Sequence, residues 1–260
     1  MAIPLSEIEP LIGAVHGVDH ALCERGGWQP DPMRPDVNEL TWAQRAQAAA
    51  RWAAAGLSMH AGAANAGRFA VSLLSIAAPA RLVDSALTAA RDRVSHARIG
   101  FGLASAYADR PIGPRHTAPL PPMVSVDAVI DEAIAAFCLG ATVSAVSAAE
   151  ARAAAEDPAA WDALGTIADG AWKHTRLGWD VIAWAIHTGP PNTESLLRAR
   201  IDAHIDARRA QPFLYEDTPV DPLLIEHGCP SPGARERLQH AVLVQVVQPC
   251  VGRFLADALG

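Results

Sequence analysis

Arg110-Pro111-Ile112-Gly113-Pro114-Arg115-His116-Thr117-Ala118-Pro119-Leu120-Pro121-Pro122 carries five prolines in thirteen residues and no periodic apolar pattern. Proline lacks the amide donor and its ring collides with the preceding turn, so no helix runs through this stretch. Links between packed helices usually span about 2–8 residues. A longer one reads as a crossover that separates two helical pairs.

Upstream, Thr41 is placed to cap a helix running toward Ala77 that Pro79 closes, and a second helix spans about Arg81 to Ala108. Downstream, one helix covers about Val126 to Glu156, Asp157-Pro158 breaks it, and another covers about Ala160 to His187. Gly189-Pro190-Pro191 ends that one. A shorter helix over about Thr193 to Arg209, a loop rich in proline and acid from Gln211 to Pro232, and a terminal helix from about Ala234 to Leu259 complete the chain. Residues 1–40 read as a partly helical arm punctuated by Pro30, Pro32 and Pro35. The expected organisation is an arm (1–40), a body of four helices (41–190) and a helical extension packed on it (191–260), one domain overall.

Composition supports an all-α class. Half of the 260 residues are hydrophobic while only 5% are aromatic, and alanine, the best helix former, is abundant. No β-branched segment alternates as a strand would. The net charge is −7, Lys173 is the only lysine, and no basic cluster exists, which argues against nucleic acid as a partner. Cys23, Cys138, Cys229 and Cys250 form no C-x-x-C pair, so reduced thiols in the cytoplasm are expected. The start of the chain has no basic, apolar leader, and no signal peptide is expected. The uncharged run Ala133 to Ala149 is short and rich in small side chains, which favours a buried core helix over a membrane span.

Four segments, in order, carry a resemblance. Met59-His60-Ala61-Gly62, with Arg68-Phe69 and Ala78-Pro79, is similar to a bundle helix that opens Glu-His-Ala-Ser and ends Gly-Ala-Pro. Asp92-Arg93-Val94-Ser95-His96-Ala97 resembles Asp-Glu-x-x-His-Ala. Ala136-Phe137-Cys138-Leu139-Gly140-Ala141-Thr142 resembles Glu-Gly-Cys-x-Gly-Glu-Thr, and Ile167-Ala168 through Ala171-Trp172-Lys173-His174 resembles Ile-Ala-x-Asp-Glu-x-x-His. The tail Val246-Val247-Gln248-Pro249-Cys250 looks like Val-x-x-Pro-Cys. Together these resemble the ferritin-like superfamily of di-iron carboxylate four-helix bundles, over about Trp42 to Ala258. The resemblance implies a ferritin-like bundle with its long crossover between helices 2 and 3.

It also implies a lost metal site. Such bundles use a Glu from each of two helices and a Glu-x-x-His pair from each of the others. Here the glutamate positions hold Met59, Arg93, Ala136 or Ala141, and Ala171, and only His96 and His174 survive. Two neutral imidazoles beside a guanidinium cannot neutralise two ferrous ions in an apolar core, so neither metal nor cofactor is expected.

The expected working site is the former metal site, with His96 and His174 as acid and base and Arg93 as an anchor for a carboxylate or enolate oxygen. Gly62, Gly100, Gly140 and Gly178 each fall one turn from a site position. Two readings stay open: a cavity that admits an organic molecule, or close helix packing. Met59, His60, Ala136, Cys138, Ala141 and Ala171 complete the expected lining. Lys173 reads as solvated, the tryptophans of the fourth helix (Trp161, Trp172, Trp179, Trp184) as core and interface filler, and Asp131, Glu132, Asp169 and Asp180 as surface. An arginine buried without an anion is costly, so a ligand or water is expected beside Arg93.

The first functional expectation is a cofactor-independent enzyme of a specialised biosynthetic route, performing an isomerisation, cyclisation, elimination or hydrolysis on a small organic substrate. A non-catalytic protein that binds a small molecule or supports a partner enzyme is the alternative, and a mononuclear metalloprotein with an unorthodox site the third. A homodimer, or a complex with an enzyme of the same pathway, is an expected assembly.

Overall fold

The computed structural model describes residues 2–12, 22–24, 27–28, 33–115, 120–121, 123, 125–190, 192–213 and 219–257. The N-terminal arm contributes a single helical turn, α1 (Leu5–Ile8), that runs on into a tighter turn over Glu9–Leu11. Pro30 and Pro32, expected to end the arm, lie outside the described residues.

Two long helices follow. In α2 (Trp42–Ser75), the Thr41 hydroxyl accepts from the Gln44 amide while the Gln44 side chain accepts from the Thr41 amide. This reciprocal cap satisfies two otherwise orphaned donors and contributes about 1 kcal/mol. Ala77 turns left-handed at φ 54°, and the amides of Ala77 and Ala78 bond back to Leu74 and Leu73. The chain then reverses through Pro79 into α3 (Ala80–Ala108).

The third long helix, Val126–Ala154, is built from α4 (Val126–Glu132), a π-helical segment (Ala133–Ala141) and α5 (Thr142–Ala154). It is long and apolar enough to cross a membrane, but most of that surface is buried against its neighbours. The fourth, α6 (Pro158–Thr188), starts with Pro158 in its first turn and the Asp157 carboxylate accepting from Ala160. It therefore begins two residues before the expected Ala160.

Helices α2 and α3 pair along their length, α6 pairs with the π segment and α5, and α3 joins the two hairpins through α6. The crossover is tied down at both ends. Gly113–Pro114 pairs antiparallel with Leu22–Cys23, a two-residue strand contact that no alternating pattern announced. At the far end the Met123 amide donates to the Ser72 hydroxyl.

In the extension, α7 (Thr193–Arg209) inserts Leu197, Ile201 and Ile205 into the core. The segment expected to be loop from Gln211 to Pro232 contains α8 (Pro222–Glu226). The terminal helix is α9 (Pro232–Val242), a π segment (Leu243–Val247) and α10 (Gln248–Asp257).

Apolar packing falls into two clusters. One gathers Phe69, Leu73, Leu82, Phe137, Val181 and Ile201 around the end where α2 turns into α3. The other gathers Trp52, Leu57, Phe101, Tyr107, Leu164 and Leu224 at the opposite end. Each long helix contributes to both, and the stretches between (about 58–65, 90–96 and 169–176) bury small and polar side chains instead, among them Ala63, His96, Gly170, Ala171, His174 and Thr175. That middle layer holds the site.

Candidate functional site

His96 and His174 reach the middle layer from opposite hairpins, one on α3 and one on α6, with ring centroids 5.9 Å apart. Their side chains are buried, and they face one interior space as the sequence implies. His96 turns the Cε1–Nε2 edge of its ring toward Gly170 of α6. A Cβ placed on Gly170 would stand 2.3 Å from its Cε1, so the absence of a side chain at 170 is what admits the ring. A hydrogen bond to the Thr166 backbone favours the protonated form of the His96 ring. Burial lowers the pKa of His96, opposed first by the carboxylate of Asp92 one turn away.

The Nε2 of His174 has no hydrogen-bond partner and no access to solvent. Asp92 Oδ2 stands 3.7 Å away, beyond hydrogen-bond length. Burial, followed by the charges of Arg93, His96 and Lys173, pushes the His174 pKa down to about 3 despite that carboxylate. The ring is neutral throughout the physiological range.

Arg93 corrects an expectation. Its Nη1 donates to the Gly62 carbonyl at 3.2 Å, its guanidinium lies 5.1 Å from the Phe137 centroid, and the charge of Glu132 supports it. Burial still lowers its pKa to about 10, which leaves it charged. Glu132 is consequently not a surface residue. Its carboxylate accepts from Asn65 Nδ2 at 2.6 Å and pairs with Arg68 Nη2 at 3.0 Å. The protein itself thus supplies partners for Arg93.

The four glycines divide. Gly62 makes room for Arg93, whose Nη1 would lie 2.8 Å from an added Cβ. Gly100 rests on the backbone of Gly56 and Trp52, and Gly178 on the backbone of Cys138, so close helix packing is the reading that describes both. Gly140 lies beside the Ala135 carbonyl, to which Arg208 of α7 donates at 2.9 Å.

The remaining expected residues are placed as follows. His60 meets the Trp28 ring edge-on at 4.9 Å, and Met59 packs against the apolar cluster of Trp52 and Phe101. Ala141 and Ala171 are buried and Ala136 packs on the Phe137 cluster. Cys138 is sealed in the core and burial pushes its thiol pKa well up, which rules against a resting thiolate nucleophile. Lys173 is exposed, as expected. Trp179 and Trp184 pack on the core, while Trp161 and Trp172 are 44% and 45% exposed and lie outside it.

Three residues of the site were not anticipated: Asp92, Gly170 and Thr166. Asp92 and Gly170 each stand four positions before a site histidine, the spacing that stacks residues on one helix face. Among the described residues no three His, Cys, Asp or Glu side chains converge as a metal shell. No family model matches the chain, and neither a curated protein nor a solved structure is similar to it.

The Gly170 contact gives a local test. Gly170→Ala should expel the His96 ring from its seat on α6 and cut the hydrogen bond to Thr166. Histidine NMR of the labelled protein should show the His96 ring signals moving while those of His187, exposed near the end of α6, stay put. Unchanged His96 signals would mean that the ring is not seated as described.

Proposed function

We propose that this chain is a metal-free ferritin-like bundle acting as a cofactor-independent acid–base enzyme on a small organic substrate. The observation that carries the reading is the pair of buried, neutral imidazoles in a layer where the apolar core is interrupted, one of them with an unpartnered Nε2. Two antiparallel hairpins joined by a long crossover support the ferritin-like assignment.

The electrostatics divide the roles. His96 is the base: its hydrogen bond to the Thr166 backbone and the nearby Asp92 charge both favour the imidazolium it forms on taking a proton. His174, held neutral, is a hydrogen-bond donor for an oxygen on which negative charge develops. Arg93 adds a fixed positive field from the next turn of α3. A proton taken by His96 from a carbon beside a carbonyl, and returned to another atom of the same molecule, accomplishes an isomerisation or a ring closure. The same abstraction followed by loss of a leaving group accomplishes an elimination. Neither step needs an oxidant or a reductant.

Replacing the native gene by His96→Ala or His174→Ala should leave a folded helical protein. In the producing cell one small metabolite should accumulate and a product should disappear, with a loss of at least about 100-fold, the usual contribution of a positioned acid or base. An untargeted metabolite profile identical to wild type for both variants would sink the catalytic reading. It would favour the non-catalytic binding or scaffold reading, for which the tight packing at Gly100 and Gly178 already speaks.

A further inference from the structure

Trp161 and Trp172 both sit on the outside of α6. They are eleven residues apart, which at 3.6 residues per turn is about three turns and brings them within about 20° of the same face. Trp161 is held in place: the guanidinium of Arg152 lies 3.6 Å from one face of its ring. Arg152 in turn fits a slot opened by Gly165, where an added Cβ would stand 2.9 Å from Cζ. The other face of the indole is presented outward in a fixed pose. Trp and Arg are the side chains most enriched at interface hot spots, and a pre-ordered one loses little entropy on binding.

The exposed charges beside the tryptophans are sorted along the helix. Asp162 and Asp169 lie toward its N-terminal half, Lys173 and Arg176 toward its C-terminal half. A two-fold axis through the middle of this stretch would lay α6 antiparallel on its own copy. Trp161 would then face Trp172 of the other copy, and Asp162 would face its Lys173, twice over. That is the self-complementarity an isologous interface requires. The aliphatic side chains Val71, Leu74, Leu87 and Val94 on α2 and α3 are also exposed, but no such ordering of charge names an occupant for them.

We propose that the chain forms a two-fold homodimer through α6, with Trp161 and Trp172 as its apolar anchors and Asp162–Lys173 pairs at its flanks. The 31-residue helix is about 46 Å long. One helix pair plus the adjoining end of α5 lies at the small end of stable interfaces. The dimer is therefore concentration-dependent and weakened by salt.

Sedimentation velocity on the full chain should show the 27.4 kDa species giving way to one of twice that mass as concentration rises through the micromolar range. Asp162→Lys alone and Lys173→Asp alone should each hold the protein monomeric with unchanged helical content. The double variant Asp162→Lys/Lys173→Asp restores the opposite-charge pairing and should restore the dimer. Because Lys173 is the only lysine, a zero-length carbodiimide cross-link gives a second readout: the covalent dimer should yield a Lys173–Asp162 linked peptide. A protein monomeric at every concentration, a dimer indifferent to both single swaps, or a cross-link mapping elsewhere overturns the proposal.

Discussion

Gly100→Ala should destabilise the protein by about 2–3 kcal/mol, reversing the usual effect of this substitution in a helix. At an open helical position Ala is favoured over Gly by about 1 kcal/mol. Gly67 is such a position: an added Cβ meets nothing within 4 Å, and Gly67→Ala should raise stability by about 0.5–1 kcal/mol. At Gly100 the Cβ would lie 2.7 Å from the Gly56 amide nitrogen and 2.8 Å from its Cα. Those are backbone atoms of α2, and they yield only if the hairpin opens. Overpacking of this kind costs about 1–3 kcal/mol, occasionally more, and here it acts at a backbone-to-backbone contact between α2 and α3. Gly178→Ala should behave the same way, since its Cβ would lie 2.6 Å from the Cys138 amide nitrogen. Guanidinium unfolding of the three variants checks the signs. A Gly100→Ala protein more stable than wild type would show that the two helices are further apart than described.

That reversal also marks where the sequence stops being legible. Helix limits could be read because caps and breakers are local: Thr41, Pro79 and Asp157-Pro158 act on their own backbone, and four helices lie within a few residues of expectation. The facing of His96 and His174 was implied by the resembled ligand motifs, each of which turns its histidine toward the bundle interior. A glycine one turn from a site position carries no mark of its neighbour. Gly62 meets a flexible arginine, while Gly100 and Gly178 meet another helix's backbone, and only the packing of the hairpins decides which.

Glu132 was misread for a different reason. The π-helical segment Ala133–Ala141 begins directly after it, so an α-helical period carried through the whole of Val126–Ala154 loses register at that point. Spacing then assigned to the surface a carboxylate that holds Arg68 and supports Arg93. Ala136 and Ala141 follow the same logic: five apart, they fall together in a π-helix and apart in an α-helix. The stacking of Arg152 on Trp161 was hidden by a third cause, because Arg152 belongs to the preceding helix and no local pattern connects the two.

Acid should undo the middle layer before it undoes most of the surface. With its folded pKa near 3 and an unfolded value near 6.5, His174 takes up a proton in the unfolded chain long before it does so in the folded one. The unfolded state therefore binds more protons as pH falls, and the derivative of unfolding free energy with pH is positive. Stability is full above about pH 6.5, declines by about 1.4 kcal/mol per unit below it, and levels off near pH 3. At pH 5 the loss from His174 alone is about 2 kcal/mol, out of the 5–15 kcal/mol typical of a folded domain. His96, also lowered by burial, adds loss of the same sign. Asp92 opposes the lowering at His96 by favouring its imidazolium, but the carboxylate is 27% exposed and its attraction is screened by water. His174→Gln removes the titration while keeping a polar side chain. Its unfolding free energy should fall less steeply than that of wild type between pH 6.5 and 5, closing the gap between the two proteins by about 2 kcal/mol. The comparison cancels the carboxylates, which titrate alike in both. Parallel curves would mean that the His174 ring is already hydrated or charged in the folded protein, and the assignment of a neutral hydrogen-bond donor to it would fall with that result.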